Sequence, residues 1–173
     1  MSNQYKIKYT LSIEEPHKHM FDIKIEVDGF KKDFIDFKMP VWTPGSYLIR
    51  EFSKNVSNVS ATSKDNNLVI QKTSKNTWRV NLVDSSKIEF KYKVYAYEKT
   101  VRTSFLNDEQ AMINGASVFM IPDGCENQEL DLLIEPYYKW KRITTTLNSY
   151  KGSYDRFIAK NYDELIDSPI EVG

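Results

Sequence analysis

Residues 5–13 have the sequence YKIKYTLSI, and residues 21–27 have the sequence FDIKIEV. In both stretches apolar and polar residues alternate, so the apolar side chains share one face of an extended chain. The alternation is interrupted between them at Glu15 and Pro16. This pattern predicts two neighbouring antiparallel β-strands, each with one buried face.

The same alternation returns at residues 78–82 and again at residues 88–96. Shorter apolar runs accompany it, separated by turn signals such as PDG at residues 122–124. Many short strands with turns between them and few helices are typical of a β-sandwich. We therefore predict an all-β fold, an antiparallel β-sandwich, over residues 1–160.

One short helix is predicted near the C-terminal end. Asn161, followed three residues later by Glu164, has the form of a capping box, and Leu165 follows as an apolar side chain. Pro169 ends the helix, because the residue before a proline is pushed out of helical geometry. We expect residues 161–173 to form this helix and the start of a linker to a further domain.

The composition narrows the classes of partner. The 173 residues contain 24 Lys and Arg against 24 Asp and Glu, so the formal net charge is zero. A nucleic-acid binder usually concentrates positive charge, so this balance predicts no nucleic-acid partner. No uncharged apolar run approaches the roughly 18 residues of a membrane-spanning helix, which predicts no membrane partner. The N-terminus lacks the apolar stretch of a signal peptide, which predicts a cytoplasmic location for the chain as written.

The sequence gives little support for chemistry within the chain. Cys125 is the one cysteine and lies in a predicted turn, without an identified base to activate its thiol. His17 and His19 could share a strand face as two metal ligands, but no third ligand is fixed by spacing. Pro16 favours a turn there, and therefore solvent-exposed histidines. No HExxH, GxSxG, P-loop or CxxC motif is present. We predict no catalytic residue, no metal ligand and no cofactor in this chain.

The segment at residues 39–52 has the sequence MPVWTPGSYLIREF. Its Pro-Gly pair fits the centre of a type II turn, and large aromatic residues flank it. Such a segment is either a tight connection that clasps the core or a docking surface, because Trp, Tyr and Arg dominate interface hot spots. The residue types do not decide between these two interpretations. The candidate interface residues are Trp42, Pro44, Gly45, Tyr47 and Arg50.

This segment also resembles the signature of the N-terminal domain of the glycyl aminopeptidase family. Two further stretches are similar to that family. One runs from VRTSFLNDE at residues 101–109 into INGASVF at residues 113–119, and the other is YDELIDSPIEVG at residues 162–173. The likeness covers the whole chain in order.

The resemblance implies a β-sandwich domain packed beside a thermolysin-like catalytic domain of the same polypeptide, commonly followed by a PDZ domain. The family's zinc ligands and general base belong to an HExxH helix, which would lie beyond Gly173. Zinc is therefore expected in the catalytic domain, and none in this chain. By a looser analogy with two-domain aminopeptidases, Asn114 and Gly115 are candidates to face the cleft that holds a peptide substrate. Asn offers both a donor and an acceptor, and Gly permits close backbone approach.

One alternative uses the many tyrosines differently. The chain has 11 tyrosines, and aromatic side chains suit a free-standing binding module for carbohydrate or peptide. Under either hypothesis the isolated chain would expose apolar surface, and a homodimer would be compatible with that exposure.

Overall fold

The structure is a computed structural model that describes residues 5–42, 48–82, 86–98, 100 and 103–173. In these residues the strands, in chain order, are β1 (Lys6–Ser12), β2 (Met20–Asp28), β3 (Phe34–Lys38), β4 (Val56–Ser63), β5 (Asn66–Asn67), β6 (Ile70–Ser74), β7 (Thr77–Asn81), β8 (Lys87–Tyr95), β9 (Phe105–Leu106), β10 (Ala111–Ile113), β11 (Ile121–Pro122), β12 (Leu130–Glu135), β13 (Ile143–Thr145), β14 (Asn148–Ser149), β15 (Arg156–Ala159) and β16 (Ile170–Val172). The α-helix is α1 (Tyr162–Asp167), and short 3-10 turns lie at Pro16–Lys18, Phe52–Asn55, Gly115–Ser117 and Tyr150–Gly152.

The described strands form one large sheet and two small ones. The large sheet has the order β14-β15-β12-β1-β2-β8-β4-β5, and the small sheets have the orders β13-β16-β10-β9 and β11-β3-β7-β6. Strands β1 and β2 are antiparallel neighbours, as the alternating sequence predicts. The exception to antiparallel pairing is β1 with β12, which run parallel.

The sheets pack around a shared apolar core. The rings of Phe37 on β3 and Phe90 on β8 stack with their centroids 3.9 Å apart, which joins a small sheet to the large one. Ile113 on β10 and Ile170 on β16 belong to the same buried cluster. The prediction of an antiparallel β-sandwich with one short helix is confirmed.

Helix α1 begins as its sequence predicts. The Asn161 side chain accepts a hydrogen bond of 2.9 Å from the Glu164 amide. The Glu164 carboxylate accepts one of 2.6 Å from the amide of Lys160, one residue before the amide that a standard capping box would use. The helix ends at Asp167, two residues before Pro169.

The residues after α1 return to the sandwich. Strand β16 pairs with β10 on one side and β13 on the other, so it is an inner strand of its sheet. The Gly173 amide donates to the Arg142 carbonyl at 3.0 Å, and its own carbonyl accepts from the Arg142 amide at the same distance. The division of the chain at residue 160 stays a prediction.

Candidate functional site

The segment at residues 39–52 is anchored in the core at both ends. Met39 and Phe52 are buried. The Met39 amide donates to the Asn76 carbonyl at 2.9 Å, and the Asn76 side chain donates to the Met39 carbonyl at 2.8 Å. The Arg50 amide donates to the Val41 carbonyl at 2.7 Å, so the two limbs of the segment are held together.

Between these anchors the described apolar side chains point outward. Trp42 is 53% exposed, Leu48 61% and Ile49 80%. We call these three residues the apolar tip. Pro44, Gly45 and Tyr47 lie outside the described residues. The apolar tip presents surface that the core does not cover.

Basic side chains lie beside the segment. Lys54, Lys72 and Lys75 line a shallow, open cavity of about 470 Å³ together with Glu51. Lys75 Nζ lies 3.6 Å from a Glu51 carboxylate oxygen. Lys54 Nζ lies 3.9 Å from a Glu98 carboxylate oxygen. Three lysines against two glutamates leave this side of the segment with a net charge of +1.

Asn114 is held by hydrogen bonds within its own loop and by one to Ser104, which precedes β9. Its side-chain oxygen accepts from the Ala116 amide at 3.2 Å, which caps the 3-10 turn Gly115–Ser117. Its amide donates to the Ser104 hydroxyl at 2.9 Å, and its carbonyl accepts from the Ser117 hydroxyl at 2.9 Å. Asn114 is partly buried. The loop is therefore rigidly placed.

Gly115 allows this loop to approach α1 closely. A Cβ atom at Gly115 would lie 2.8 Å from the Ile166 Cα atom and 2.9 Å from the Leu165 carbonyl oxygen. Both neighbours are backbone atoms, which cannot swing away as a side chain would. The close approach that glycine permits is made to α1, and a contact of Asn114 or Gly115 with substrate stays a prediction.

A row of side chains, all exposed except the buried Phe105, crosses one face of the β13-β16-β10-β9 sheet next to this loop. Tyr97, Phe105, Met112, Glu171 and Thr144 stand opposite one another on successive strands. The rings of Tyr97 and Phe105 stack with their centroids 5.4 Å apart. Tyr97 and Met112 are exposed, so this face offers a second apolar surface.

Two of the three motifs that carry the family resemblance, the second and the third, meet in this region. Strand β10, in the second motif, pairs with β16, in the third. Gly115, in the second motif, packs against α1, in the third, so this contact also joins the two motifs. Asn55, just after the first motif, lines a small cavity with Ser104 and Ser117, which hold Asn114. The second and third motifs are therefore packed together, and a residue that follows the first motif lies close to Ser104 and Ser117.

Three buried tyrosines fix residues 118–120 through hydrogen bonds that no sequence pattern indicates. Their hydroxyls donate to three successive carbonyls, Tyr92 to Val118 at 2.8 Å, Tyr162 to Phe119 at 2.5 Å and Tyr9 to Met120 at 2.7 Å. Burial raises the pKa of all three phenols above the ordinary value. They remain neutral donors over the physiological pH range.

The two histidines have different surroundings. His17 is exposed in a 3-10 turn, whereas His19 is partly buried. The Nδ1 atom of His19 lies 2.6 Å from the Leu106 carbonyl oxygen, and its ring packs on Tyr97 with centroids 3.9 Å apart. Among the described residues, no three His, Cys, Asp or Glu side chains are grouped closely enough to hold a metal ion. The residues that the structure describes do not fit a zinc site.

Cys125 is buried beside β11, and burial raises the pKa of its thiol to about 12, with the Glu126 and Asp123 carboxylates adding to the shift. At pH 8 only about one thiol in ten thousand would then be ionised. We expect no reaction of the native chain with a thiol reagent such as DTNB at pH 8, and complete reaction after unfolding in guanidinium chloride. Rapid labelling of the folded chain would show that the thiol is accessible.

The large sheet carries a polar cavity of about 400 Å³ on its outer face. Asp22 and Lys93 pair across it at 2.5 Å, and Lys24 and Glu135 also line it. The aromatic residue in its lining, Tyr92, is buried. Balanced charge without an exposed ring does not favour a carbohydrate platform at this place.

In the described part of the chain, no helix has both the length and the apolar character needed to cross a bilayer.

Comparison with known proteins identifies the family to which the domain belongs. Residues 8–173 match the model of the peptidase M61 N-terminal domain. The structure superposes on an aminopeptidase N family protein from Idiomarina loihiensis with a TM-score of 0.90 and 29% identity, covering 96% of this chain and 29% of that chain. None of the curated proteins compared with the chain matches it.

A second solved structure is more distant. The M1 zinc metallopeptidase from Deinococcus radiodurans gives a TM-score of 0.53 at 8% identity, covering 99% of this chain and 42% of that chain. That likeness shows the fold alone. The chain spans less than half the length of either solved protein. The resemblance inferred from the three motifs is confirmed, and the chain belongs to the peptidase M61 N-terminal domain family.

Proposed function

We propose that this chain is the non-catalytic N-terminal domain of a glycyl aminopeptidase-like zinc metallopeptidase. It packs on a catalytic domain of the same polypeptide and forms one side of the substrate cleft. The family assignment and the much longer chain of the Idiomarina relative support this proposal. Because the described residues do not fit a zinc site, we assign the zinc and the peptide-cleaving groups to the catalytic domain. A PDZ domain beyond it stays a prediction.

The observation that carries the proposal is the apolar tip. Trp42, Leu48 and Ile49 are each more than half exposed, yet their segment is anchored by buried residues and backbone hydrogen bonds. Large exposed apolar side chains on an anchored segment are typical of a binding site, and tryptophan is among the residues most enriched in interface hot spots. An anchored segment also loses little conformational entropy on docking.

The cleft role is proposed for the neighbouring loop. Asn114 is the residue directly after β10, and hydrogen bonds to Ser104 and Ser117 fix its position. A rigid loop at the edge of a cleft can hold the amino end of a peptide without reorganising. If Asn114 contacts the substrate, shortening its side chain should raise the KM of the full-length enzyme, because that contact is lost.

The docking role predicts a large effect from polar substitutions in the apolar tip. In the full-length polypeptide, we expect Trp42→Ser, Leu48→Ser and Ile49→Ser together to weaken interdomain docking by about 4.5 kcal/mol, at roughly 1.5 kcal/mol for each side chain that docking buries. The N-terminal domain should then unfold separately from the catalytic domain in scanning calorimetry. The rate at which the enzyme hydrolyses glycyl and alanyl anilides should fall as docking is weakened.

Val69→Ser is the matched control, because Val69 is 63% exposed but lies outside the apolar tip. Exposed substitutions away from an interface usually change stability by less than about 0.5 kcal/mol. If the two domains of the triple variant still unfold together and its activity equals that of the wild type, the apolar tip is not the docking surface. If the wild-type domains already unfold independently, a free-standing binding module becomes the better description.

A further inference from the structure

Arg50 has an unsatisfied guanidinium edge. Its Nε and Nη2 atoms are buried, and no described residue offers either of them a hydrogen-bond acceptor. The backbone amide of Arg50 has a partner in the Val41 carbonyl, whereas these two side-chain nitrogens have none. The side chain as a whole is only partly buried.

Two other arginines in the chain show what this edge binds. Arg79 donates from Nε and Nη2 to the two Asp36 carboxylate oxygens, each at 2.8 Å. Arg156 donates from the same two nitrogens to the two Asp131 carboxylate oxygens, with the Nε bond at 2.8 Å. Arg50 lacks a carboxylate on the same two atoms that Arg79 and Arg156 use.

An unpaired guanidinium edge is unfavourable in the isolated domain. A guanidinium keeps its charge in proteins, so it cannot relieve burial by losing a proton. A buried donor without an acceptor costs its full desolvation penalty. Such a group is best explained by an acceptor that joins it when a partner docks.

The surroundings of Arg50 indicate the chemistry of that partner. Leu48 and Ile49 precede it and Trp42 lies on the opposite limb, so the acceptor would sit among apolar contacts that exclude water. The segment is bordered by three lysines and by two glutamates that pair with two of them, which leaves one positive charge in excess; these residues are Lys54, Lys72, Lys75, Glu51 and Glu98. An acidic surface complements both the lysines and the guanidinium edge.

We propose that Arg50 binds, side-on through Nε and Nη2, an Asp or Glu carboxylate on the catalytic domain. The proposal rests on the proposed function, because it assigns a specific anchor to the same docking surface. The arginine side chain has several rotatable bonds and is only partly buried, so it can turn this edge toward the partner. The fork of a bidentate pair also fixes the relative orientation of the two domains.

The test compares Arg50→Met with Arg79→Met, in the 173-residue chain and in the full-length polypeptide. In the 173-residue chain we expect Arg50→Met to leave the unfolding midpoint unchanged or to raise it by about 2–4 °C, because an unpaired buried charge is removed. In the full-length polypeptide the same change should lower the midpoint of the N-terminal domain or split its transition from that of the catalytic domain. Arg79→Met strands Asp36 and should lower the midpoint by a similar amount in both chains.

Three results would overturn the proposal. The first is equal destabilisation by Arg50→Met in both chains, which would give Arg50 a role inside the domain. The second is an Arg50→Met variant whose domains still unfold together but whose KM is raised, and only for peptides with a free C-terminal carboxylate. That result would make the substrate, and not the catalytic domain, the partner of Arg50. The third is an Arg50→Met variant that behaves as wild type in a full-length protein whose domains are coupled. Independent unfolding of the wild-type domains would instead overturn the proposed function itself.

Discussion

Gly115→Ala is expected to lower the free energy of unfolding by about 3 kcal/mol, near the upper end of what overpacking usually costs. The added methyl group would lie 2.8 Å from the Ile166 Cα atom and 2.9 Å from the Leu165 carbonyl oxygen. To make room, α1 must move away from the 3-10 turn that Asn114 caps. Equilibrium unfolding in urea, followed by circular dichroism, measures the loss.

Gly124→Ala separates this clash from the ordinary cost of replacing a glycine. Gly124 has a φ of +82°, and no heavy atom lies within 4 Å of the position that a Cβ atom would take, so alanine there meets conformational strain without a steric clash. We expect a loss of about 1 kcal/mol there. An equal loss at the two positions would mean that α1 yields easily and that its packing against Gly115 is loose.

The sequence predicts the strands well because their side chains are themselves the signal. The alternation at residues 5–13, 21–27, 78–82 and 88–96 corresponds to β1, β2, β7 and β8, with ends that differ by about one residue. The parallel partner of β1 could not be predicted, since alternation shows which face is buried but not which strand lies alongside. Asn161 indicates the start of α1 because capping is a local interaction.

The site is less predictable, since its contacts join distant residues. Glycine at position 115 suggests a close approach, but the sequence does not say that the neighbour is α1. The hydroxyls of Tyr9, Tyr92 and Tyr162 bind backbone carbonyls, and every residue has a carbonyl, so no sequence pattern marks these partners. The unpaired edge of Arg50 is visible only after its neighbours have been placed.

The stability of the domain is expected to fall steeply above about pH 10. Tyr9, Tyr92 and Tyr162 have raised pKa values in the folded state because they are buried, whereas unfolded tyrosine has a pKa near 10. Below pH 10 both states keep the proton, and the contribution of these hydroxyls to stability is complete. Above it only the unfolded state loses protons, so the free energy of unfolding decreases as the pH rises. Each tyrosine contributes a slope of about 1.4 kcal/mol per pH unit, and three together about 4 kcal/mol per pH unit.

Absorbance at 295 nm and far-ultraviolet circular dichroism, recorded together between pH 8 and 12.5, measure this effect. The three buried phenols should ionise only as the β-structure is lost. Tyr162→Phe should reduce the slope by about a third, while also costing roughly 1–2 kcal/mol at neutral pH because the Phe119 carbonyl loses its donor. Tyr154→Phe, at an exposed position, should leave the free energy of unfolding at neutral pH unchanged. Ionisation of all the tyrosines near pH 10 with the β-structure intact would contradict the hydrogen bonding to residues 118–120. Residues 118–120 directly follow the 3-10 turn that Asn114 caps. Without these hydrogen bonds, that side of the loop would no longer be held in place by the three tyrosines.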